Sequence, residues 1–450
     1  MTAIEELRQR ARSIFEAGLR AALPDDAVRH SLETTNGRLR ISLSDGTFRS
    51  DDWSRIYVIS IGKAAGTMAR AVADVLPDTL FPGSGIIVTN DENVVEIPRF
   101  RTYASGHPLP DARGVEAANA VAECAREARA GELFLVLISG GASALVPSPS
   151  EELELSDKIN TTSLLMAAGG DIYELNTVRK HLSRLKGGGL ARLAAPADVH
   201  ALVLSDVIGD DLSTIASGPT VPDPKTFDDA IAATQKLGVH DRLSPRVRAH
   251  LKRGARGEIA ETPKPDADFF ERSSTTIVGG NRMSLDASLE AATSILDRVR
   301  ILGDRICGEA RVEARAFAEA ALEELRNGEP DTISLLAGGE TTVRVTGTGV
   351  GGRNQEFAVA FALAMEELAP NTEWVFLSGG TDGRDGPNDA AGGLVDPGSL
   401  ARMRAASVDP REFLDNNDTY RALQASGDLL MTGSTGTNVA DLQVFVGSTR

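Results

Sequence analysis

The stretch Leu335–Phe357, LLAGGETTVRVTGTGVGGRNQEF, decides how this chain is read. It predicts strand, glycine turn, strand, glycine loop and helix in succession. Val343 and Val345 alternate with Thr342, Arg344 and Thr346, the period of a half-buried strand. Gly347, Gly349, Gly351 and Gly352 then strip side chains from a short loop. Asn354 begins the expected helix, and Phe357, Val359, Phe361, Leu363 and Met365 give it an apolar body. A glycine loop feeding a helix start aims backbone N–H groups at an anion, which the helix dipole also favours. Arg353 adds a fixed positive fork there, and Glu340 stands at the other end of the expected hairpin. Read this way, the stretch holds a phosphorylated ligand. Read alone, such a loop is as readily a plain turn. What weighs towards a ligand is that similar loops recur along the chain.

The 450 residues are enough for two domains with real cores. Hydrophobic residues at 42% and charged residues at 25% are ordinary for a globular protein in water. The formal charge of −17 argues against nucleic acid or an anionic membrane as partner. An acidic protein that binds an anion must concentrate cations locally, which directs attention to lysines and arginines beside glycine loops. Cys124 and Cys307 lie far apart and in no zinc spacing, so buried thiols in a reducing, cytoplasmic setting are expected. The six histidines form no close pair, which speaks against histidine-held metal. No apolar run reaches membrane-spanning length. The N-terminal segment reads as a surface helix and not as a signal peptide.

Working outward from that stretch, one grammar repeats: apolar strand, small or acidic loop, helix. RIYVISI, residues 55–61, is a nearly continuous apolar run, as in a sheet covered on both faces. It ends in Gly62-Lys63-Ala64-Ala65-Gly66, which leaves Lys63 at a strand-to-helix junction, where α/β ligands bind. Leu133–Ile138 ends in Ser139-Gly140-Gly141-Ala142-Ser143, whose amides and hydroxyls suit a carboxylate or phosphate. The same loop also reads as a tight turn. Arg179, Lys180, Arg184 and Lys186 precede Gly187-Gly188-Gly189 and line either an anion site or a solvated basic face. Val199–Leu204 runs into Asp206, with Asp210 and Asp211 close by. These acids suit Mg²⁺ or proton abstraction, or else simply cap and turn the chain. The polar residues 241–270 read as an inter-domain region between domains at 1–240 and 271–450. The grammar is that of parallel α/β layers with ligands beyond the carboxyl ends of strands.

Gly347, Gly349 and Gly352 satisfy GxGxxG between strand and helix, the best support for a nicotinamide-dependent reductase. The following strand, however, ends in Ser378-Gly379-Gly380 and not in the acid that a ribose needs. No GxxxxGK[ST] occurs. The inventory suits phosphoryl transfer to a small anionic acceptor, which is mainly positioning and electrostatics.

The blocks IGKAAGTMA, SGGASALVPSP, LNTVRKHLSRLKGGGLA, LSDVIGDDLSTIASGPTVPDP, LAGGETTVRVTGTGVGGRNQEFAVAFA, LSGGTDGRDGPNDAAGG and TGSTGTNVADL occur in order over nearly the whole chain. Together they resemble glycerate 2-kinases of the MOFRL family. The resemblance implies a larger N-terminal Rossmann-like domain, a smaller C-terminal α/β domain and an active site in the cleft. It implies ATP-dependent phosphorylation of (R)-glycerate to 2-phosphoglycerate with Mg²⁺. Lys63 and Arg353 match the family's important cations, and Asp206 its acid after the strand. On this footing Lys63, Asp206 and Arg353 are the expected catalytic residues. Lys63, Arg353, Glu340 and Asn354 are assigned to substrate, and Asp206 and Asp210 to metal. Nucleotide is assigned to Ser139, Gly140, Gly141, Ser143, Lys186, Gly187, Gly188 and Gly189. Ile208, Leu212, Ala142 and Ser434 depart from the family pattern and bear on fine specificity. Relatives carry the label hydroxypyruvate reductase, so that activity stays as the rival, and a non-catalytic two-lobed binder is the third reading. Partners are a small acid and a nucleotide, with no nucleic acid or membrane; self-association is left open.

Overall fold

The computed structural model describes residues 2–326, 332–368 and 373–448. The chain divides into two compact units, Pro24–Val278 and Met1–Leu23 with Gly279–Arg450. The boundaries therefore fall elsewhere than expected. Residues 241–270 are not a linker. Their helix Pro245–Ala255 packs on helix Phe227–Lys236 inside the first unit, and Val247 and Leu251 share a core with Leu165, Leu175 and Phe227. Nor does the N-terminal helix belong there. Helix Ala3–Ala21 buries Leu7, Ala11, Ile14, Phe15 and Gly18, and joins the second unit by packing on helix Asn281–Thr293. A Cβ at Gly18 would sit 2.8 Å from the Ser284 carbonyl oxygen, so only glycine permits this close crossing.

The unit Pro24–Val278 opens with a small antiparallel sheet, β1 (Leu32–Thr35), β2 (Arg38–Ser42) and β3 (Phe48–Ser50). Its main sheet holds β4 (Ile56–Ile61), β5 (Gly85–Asn90), β6 (Phe100–Ser105), β7 (Leu133–Ile138), β8 (Asp198–Leu204) and β9 (Ser273–Gly279) in the order β6-β5-β4-β7-β8-β9. From β6 through β8 the neighbours pair in parallel. All residues of β4, β7 and β8 are buried, which is why β7 and, but for Ser60, β4 read as apolar runs; β8 buries Asp198 and His200 as well. The order reverses between β4 and β7, the switch point of a Rossmann-like sheet. Strand β9 closes this sheet, although the sequence places its residues at the start of the second domain.

The other unit carries β10 (Arg298–Glu309), β11 (Thr332–Thr342), β12 (Glu373–Gly380), β13 (Gly392–Val395), β14 (Leu429–Leu430) and β15 (Asp441–Ser448) in the order β10-β11-β15-β12-β13-β14. Only β10 and β11 pair in parallel; the rest are antiparallel. The expectation of a second parallel layer is thus corrected. Helix Arg353–Leu368 is buried along most of its length. Phe361 stacks on Phe376 at 3.9 Å between centroids, and Phe317 meets both Phe357 and Phe361 edge-on. Helix Ala310–Arg326, which carries Phe317, precedes β11.

The deciding stretch also folds differently from its reading. Gly338 and Gly339 do not turn; they lie inside the continuous strand β11. A Cβ on Gly339 would lie within 2.8 Å of the Ile306 backbone, where the register of β10 against β11 shifts. There is no hairpin, and Val343–Thr346 leave the sheet, with Val345 exposed at 75%. The alternation of residues 342–346 was overridden by a contact distant in sequence. Asn417 Oδ1 accepts from the amides of Thr346 and Gly347, at 2.8 and 2.9 Å, and pulls the chain onto the turn 416–419.

Candidate functional site

The first cluster forms at the switch point of the parallel sheet. Beyond β4, the chain turns through Gly62 to Lys63, whose amide donates to Gly140 O at 2.9 Å. Ser139, just past β7, donates its amide to Ile61 O at 2.9 Å, and its Oγ accepts from Ala64 N at 3.1 Å. The two loops are therefore tied together by backbone. Among the described residues the Lys63 side chain has no hydrogen bond or ion pair, and it is exposed. Asp206, just past β8, reaches the same place. A Cβ on Gly140 would lie 2.5 Å from its Oδ2. Burial raises the Asp206 carboxyl above its ordinary value, and its own backbone amide and the Lys63 charge offset only part of this. His107 joins them, with its ring 3.1 Å from where a Cβ on Gly141 would stand and Lys63 Cγ 3.5 Å from it. Burial, then the charge of Lys63, lower the His107 pKa, so its imidazole is neutral near pH 7. Cation, acid and neutral imidazole thus meet where an α/β sheet binds its ligand.

This arrangement makes the smallness of Gly140 testable. In Gly140→Ala the added methyl must displace the Asp206 carboxylate. Turnover is expected to fall about 10²-fold, the scale of an ångström's misplacement of a reacting group. Steady-state kinetics beside a melting curve check this, with Tm moving by only a few degrees.

The remaining positions assigned to nucleotide divide. Lys186 Nζ donates to Ser143 Oγ at 2.6 Å and Ser143 O at 3.1 Å, so these two stand together. The amides of Gly187, Gly188 and Gly189 are spent on Ser217 O, Gly218 O and Lys186 O at 2.9, 2.7 and 3.0 Å. A Cβ on Gly188 would lie 2.8 Å from the Phe270 ring. These three glycines serve close packing, and none of their amides is left for a phosphate. Asp210 occupies the turn after Asp206, with its amide donating to Val207 O at 3.0 Å. Among the described residues no three His, Cys, Asp or Glu groups form a metal cage. One or two carboxylates together with substrate oxygens are the usual Mg²⁺ set.

In the other unit the helix Arg353–Leu368 begins against an anion of its own chain. Asp385 accepts from Asn354 N at 3.1 Å and from Gln355 N at 2.8 Å. The slot that the sequence offers to a ligand phosphate is therefore filled by a carboxylate. The first part of the glycine loop before it is engaged as well. Thr348 N donates to Asn416 Oδ1 at 3.1 Å, Gly349 N to Asn416 O at 3.0 Å and Val350 N to Asp418 Oδ1 at 3.0 Å. Gly347, Gly349 and Gly351 let the turn 416–419 approach, and Gly352 lies against Asp385. Asn354 is buried, with its Oδ1 accepting from Ser378 Oγ at 2.6 Å.

Arg353 itself is partly exposed and is held as a fork. Its Nε and one terminal nitrogen grip Asp441 at 2.6 and 2.9 Å, and that nitrogen lies 3.4 Å from Glu340 Oε1. Asp441 is fully buried, and burial raises its pKa despite Arg353. Burial likewise pushes Asp385 up to about 7, against the two backbone N–H groups that stabilise its charge. Because that value lies above the ordinary 3.8, the folded state holds the proton longer. The contribution of this group to stability therefore falls as pH rises between the two values. Asp385→Ala is expected to remove that dependence and to cost about 1–3 kcal/mol, since two buried amides lose their acceptor. Thermal melts across this pH range read both effects.

Two α/β units, one of them a doubly wound parallel sheet with a charged cluster at its switch point, define a two-domain α/β protein of the ligand-binding, Rossmann-like class. A family model described as a domain of unknown function (DUF4147) matches residues 10–252, and the MOFRL family model matches residues 333–441. The chain is 35% identical to the "Glycerate 2-kinase" of Pyrococcus horikoshii, covering 98% of this chain and 97% of that one. It is 37% identical to the "D-glycerate 2-kinase" of Thermotoga maritima, with 97% and 98% covered. A protein of Agrobacterium vitis named "Putative hydroxypyruvate reductase" is 40% identical, with 98% and 94% covered. The crystal structure of a Thermotoga maritima glycerate kinase superposes with a TM-score of 0.85, at 35% identity, over 98% of this chain and all of that one. The chain belongs to the MOFRL family of glycerate 2-kinases.

Sequence reasoning passed over Asp385 and Asp441, which surround Arg353, and His107, which lies beside Lys63. A lone acid in a glycine-rich loop carries no local mark of the helix start it will cap. His107 had a fainter mark, a loop that follows the half-buried strand β6.

Proposed function

We propose that this protein transfers the terminal phosphoryl group of ATP to the 2-hydroxyl of (R)-glycerate, giving 2-phosphoglycerate and ADP. The observation that carries this reading is the switch-point cluster: an unpaired Lys63 beside Asp206, whose carboxylate packs closely on Gly140. The names of the relatives at full length support the same reaction. Lys63 neutralises the transferring phosphoryl group or the glycerate carboxylate. In the other unit Arg353, fixed by Asp441 and flanked by Glu340, is a cation of the kind that phosphoryl transfer uses. Asp206, with its raised pKa, takes the hydroxyl proton or anchors metal. The hard carboxylate oxygens of Asp206 are donors of the kind Mg²⁺ takes, and Asp210 follows in the next turn. Bound Mg²⁺ would neutralise phosphate charge. Among the described residues no helix is long and apolar enough to cross a membrane, in keeping with small soluble substrates.

The reductase reading has the printed names of some relatives in its favour. Against it stands the loop after β11, where the amides of Gly347, Thr348, Gly349 and Val350 are engaged by residues 416–418. One assay separates the two. Purified protein with glycerate, ATP and Mg²⁺ is expected to form ADP and 2-phosphoglycerate, resolved from 3-phosphoglycerate by NMR. Oxidation of NADH with hydroxypyruvate, and no ADP formation, would overturn the kinase.

A further inference from the structure

Among the described residues His107 is half-buried with neither ring nitrogen in a hydrogen bond. The other histidines differ from it. His181, His200, His240 and His250 each bond to neighbours within the fold, and His30 is exposed on the surface. A neutral imidazole offers one lone pair and one N–H, and at His107 both are left for something else. The loop that carries it is built to bring it to the cluster. Strand β6 lies at the edge of its sheet, two strands from β4, so the chain after it must reach past β5 to the switch point. Asp111 pins that path. It caps helix Ala112–Glu127 by accepting from Gly114 N at 3.0 Å, and it accepts from the Gly106 amide as well. The imidazole then lies over Gly141, with Cδ2 and Nε2 each 3.1 Å from where a Cβ would stand. A side chain at position 141 would press on the ring.

Transfer to a hydroxyl needs a place for the hydroxyl proton. Asp206 and His107 are the two groups of the cluster that could take it, and their chemistry differs. Asp206 has hard oxygens of the kind Mg²⁺ takes, and a carboxylate committed to a cation is a poor base. Imidazole suits softer metals than Mg²⁺, so its lone pair stays free for a proton. We propose that His107 is the general base of the transfer, an assignment that rests on the kinase reading above and deepens it. As the 2-hydroxyl oxygen bonds to the terminal phosphorus, its proton passes to a ring nitrogen of His107. The bond from that phosphorus to the bridging oxygen breaks, and its electron pair leaves with ADP. Burial, then the charge of Lys63, lower the His107 pKa while Glu92 opposes them, so the ring is unprotonated near neutral pH. Asp206, one residue along at Gly140, is the other charged group nearby. A glycerate carboxylate at Lys63 offsets that cation, so the ring becomes a stronger base once the acceptor is in place.

The pH dependence of kcat in the full-length protein and in His107→Gln tests it, with KM for glycerate measured in parallel. In the wild type, kcat is expected to hold to below pH 6.5, the ordinary imidazole value, and then to fall as the ring protonates. In His107→Gln, kcat is expected to drop about 10²–10⁴-fold and to lose that acid limb, with glycerate KM within about threefold. In His107→Ala, imidazole added to the buffer should restore part of the turnover, which a lost packing contact would not allow. Binding gives a readout without turnover: glycerate alone should shift the NMR resonances of the His107 ring. Near-normal turnover in His107→Gln overturns the assignment. So does an acid limb that persists unchanged in that variant, which would give the proton to Asp206. If the variants do not fold, the ring resonances of the wild type decide, and indifference to glycerate overturns it too. Failure of the kinase reading looks different: a wild-type protein that forms no ADP from ATP, glycerate and Mg²⁺ refutes the reaction and the base together. Phosphorylation by His107→Gln at the wild-type rate keeps the kinase and removes only the base.

Discussion

Arg353→Ala is expected to abolish most turnover and to destabilise its unit as well. The guanidinium makes two bonds to Asp441, which has no solvent exposure of its own. Removing the cation leaves a buried carboxylate without its counter-charge, a change that costs about 3–5 kcal/mol where the acid must stay ionised. The acid, whose pKa burial already raises, can escape by taking a proton, so the loss should be largest at high pH and shrink as pH falls. A fall in kcat of about 10³-fold is expected if Arg353 also stabilises the transferring phosphoryl group. The double variant Arg353→Ala/Asp441→Asn separates the effects. Melting temperature should recover because the orphaned charge is gone, whereas turnover should not. Recovery of both would make Arg353 a structural residue only.

Lys63→Met should show the opposite signature. Its ammonium is exposed and touches nothing among the described residues, so Tm should stay within about a degree. Its backbone, which ties the β4 and β7 loops, is unaltered by the substitution. Turnover is nevertheless expected to fall about 10²–10³-fold, the usual loss when one fixed stabilising group leaves a site of developing charge. Loss of the Lys63 charge also removes one of the two causes that lower the His107 pKa. Its titration, followed by NMR, should therefore move upward in the variant. Near-normal turnover with a shifted histidine would place Lys63 beside the chemistry and not in it.

How much of this was legible in the sequence follows from how far apart the interacting residues lie. The strand Leu133–Ile138 and the Lys63 turn were readable because burial on both faces and small residues after a strand leave local marks. The sheet order β11-β15-β12 was not, since β15 inserts between two strands more than sixty residues upstream of it. The loop Gly347–Gly352 carried a true signal, a need for close approach, but not the identity of what approaches. Glycine reports the absence of a side chain equally well for a phosphate and for the backbone at 416–418. Likewise, Arg353 was visible as a cation at a helix start, whereas the carboxylates of Asp385 and Asp441 that surround it arrive from 31 or more residues away.

The excursion of helix Ala3–Ala21 has a consequence for synthesis of the chain. Its apolar face is made first, but the helix it packs on, Asn281–Thr293, emerges only after the whole of Pro24–Val278. The ribosome thus delivers one unit complete while the other waits with a sticky end already outside. Closing so long an interval costs little more entropy than closing a short one, because the penalty grows only logarithmically. The delay falls on time and not on equilibrium. During that interval the newborn amphipathic segment is an obvious client for a chaperone.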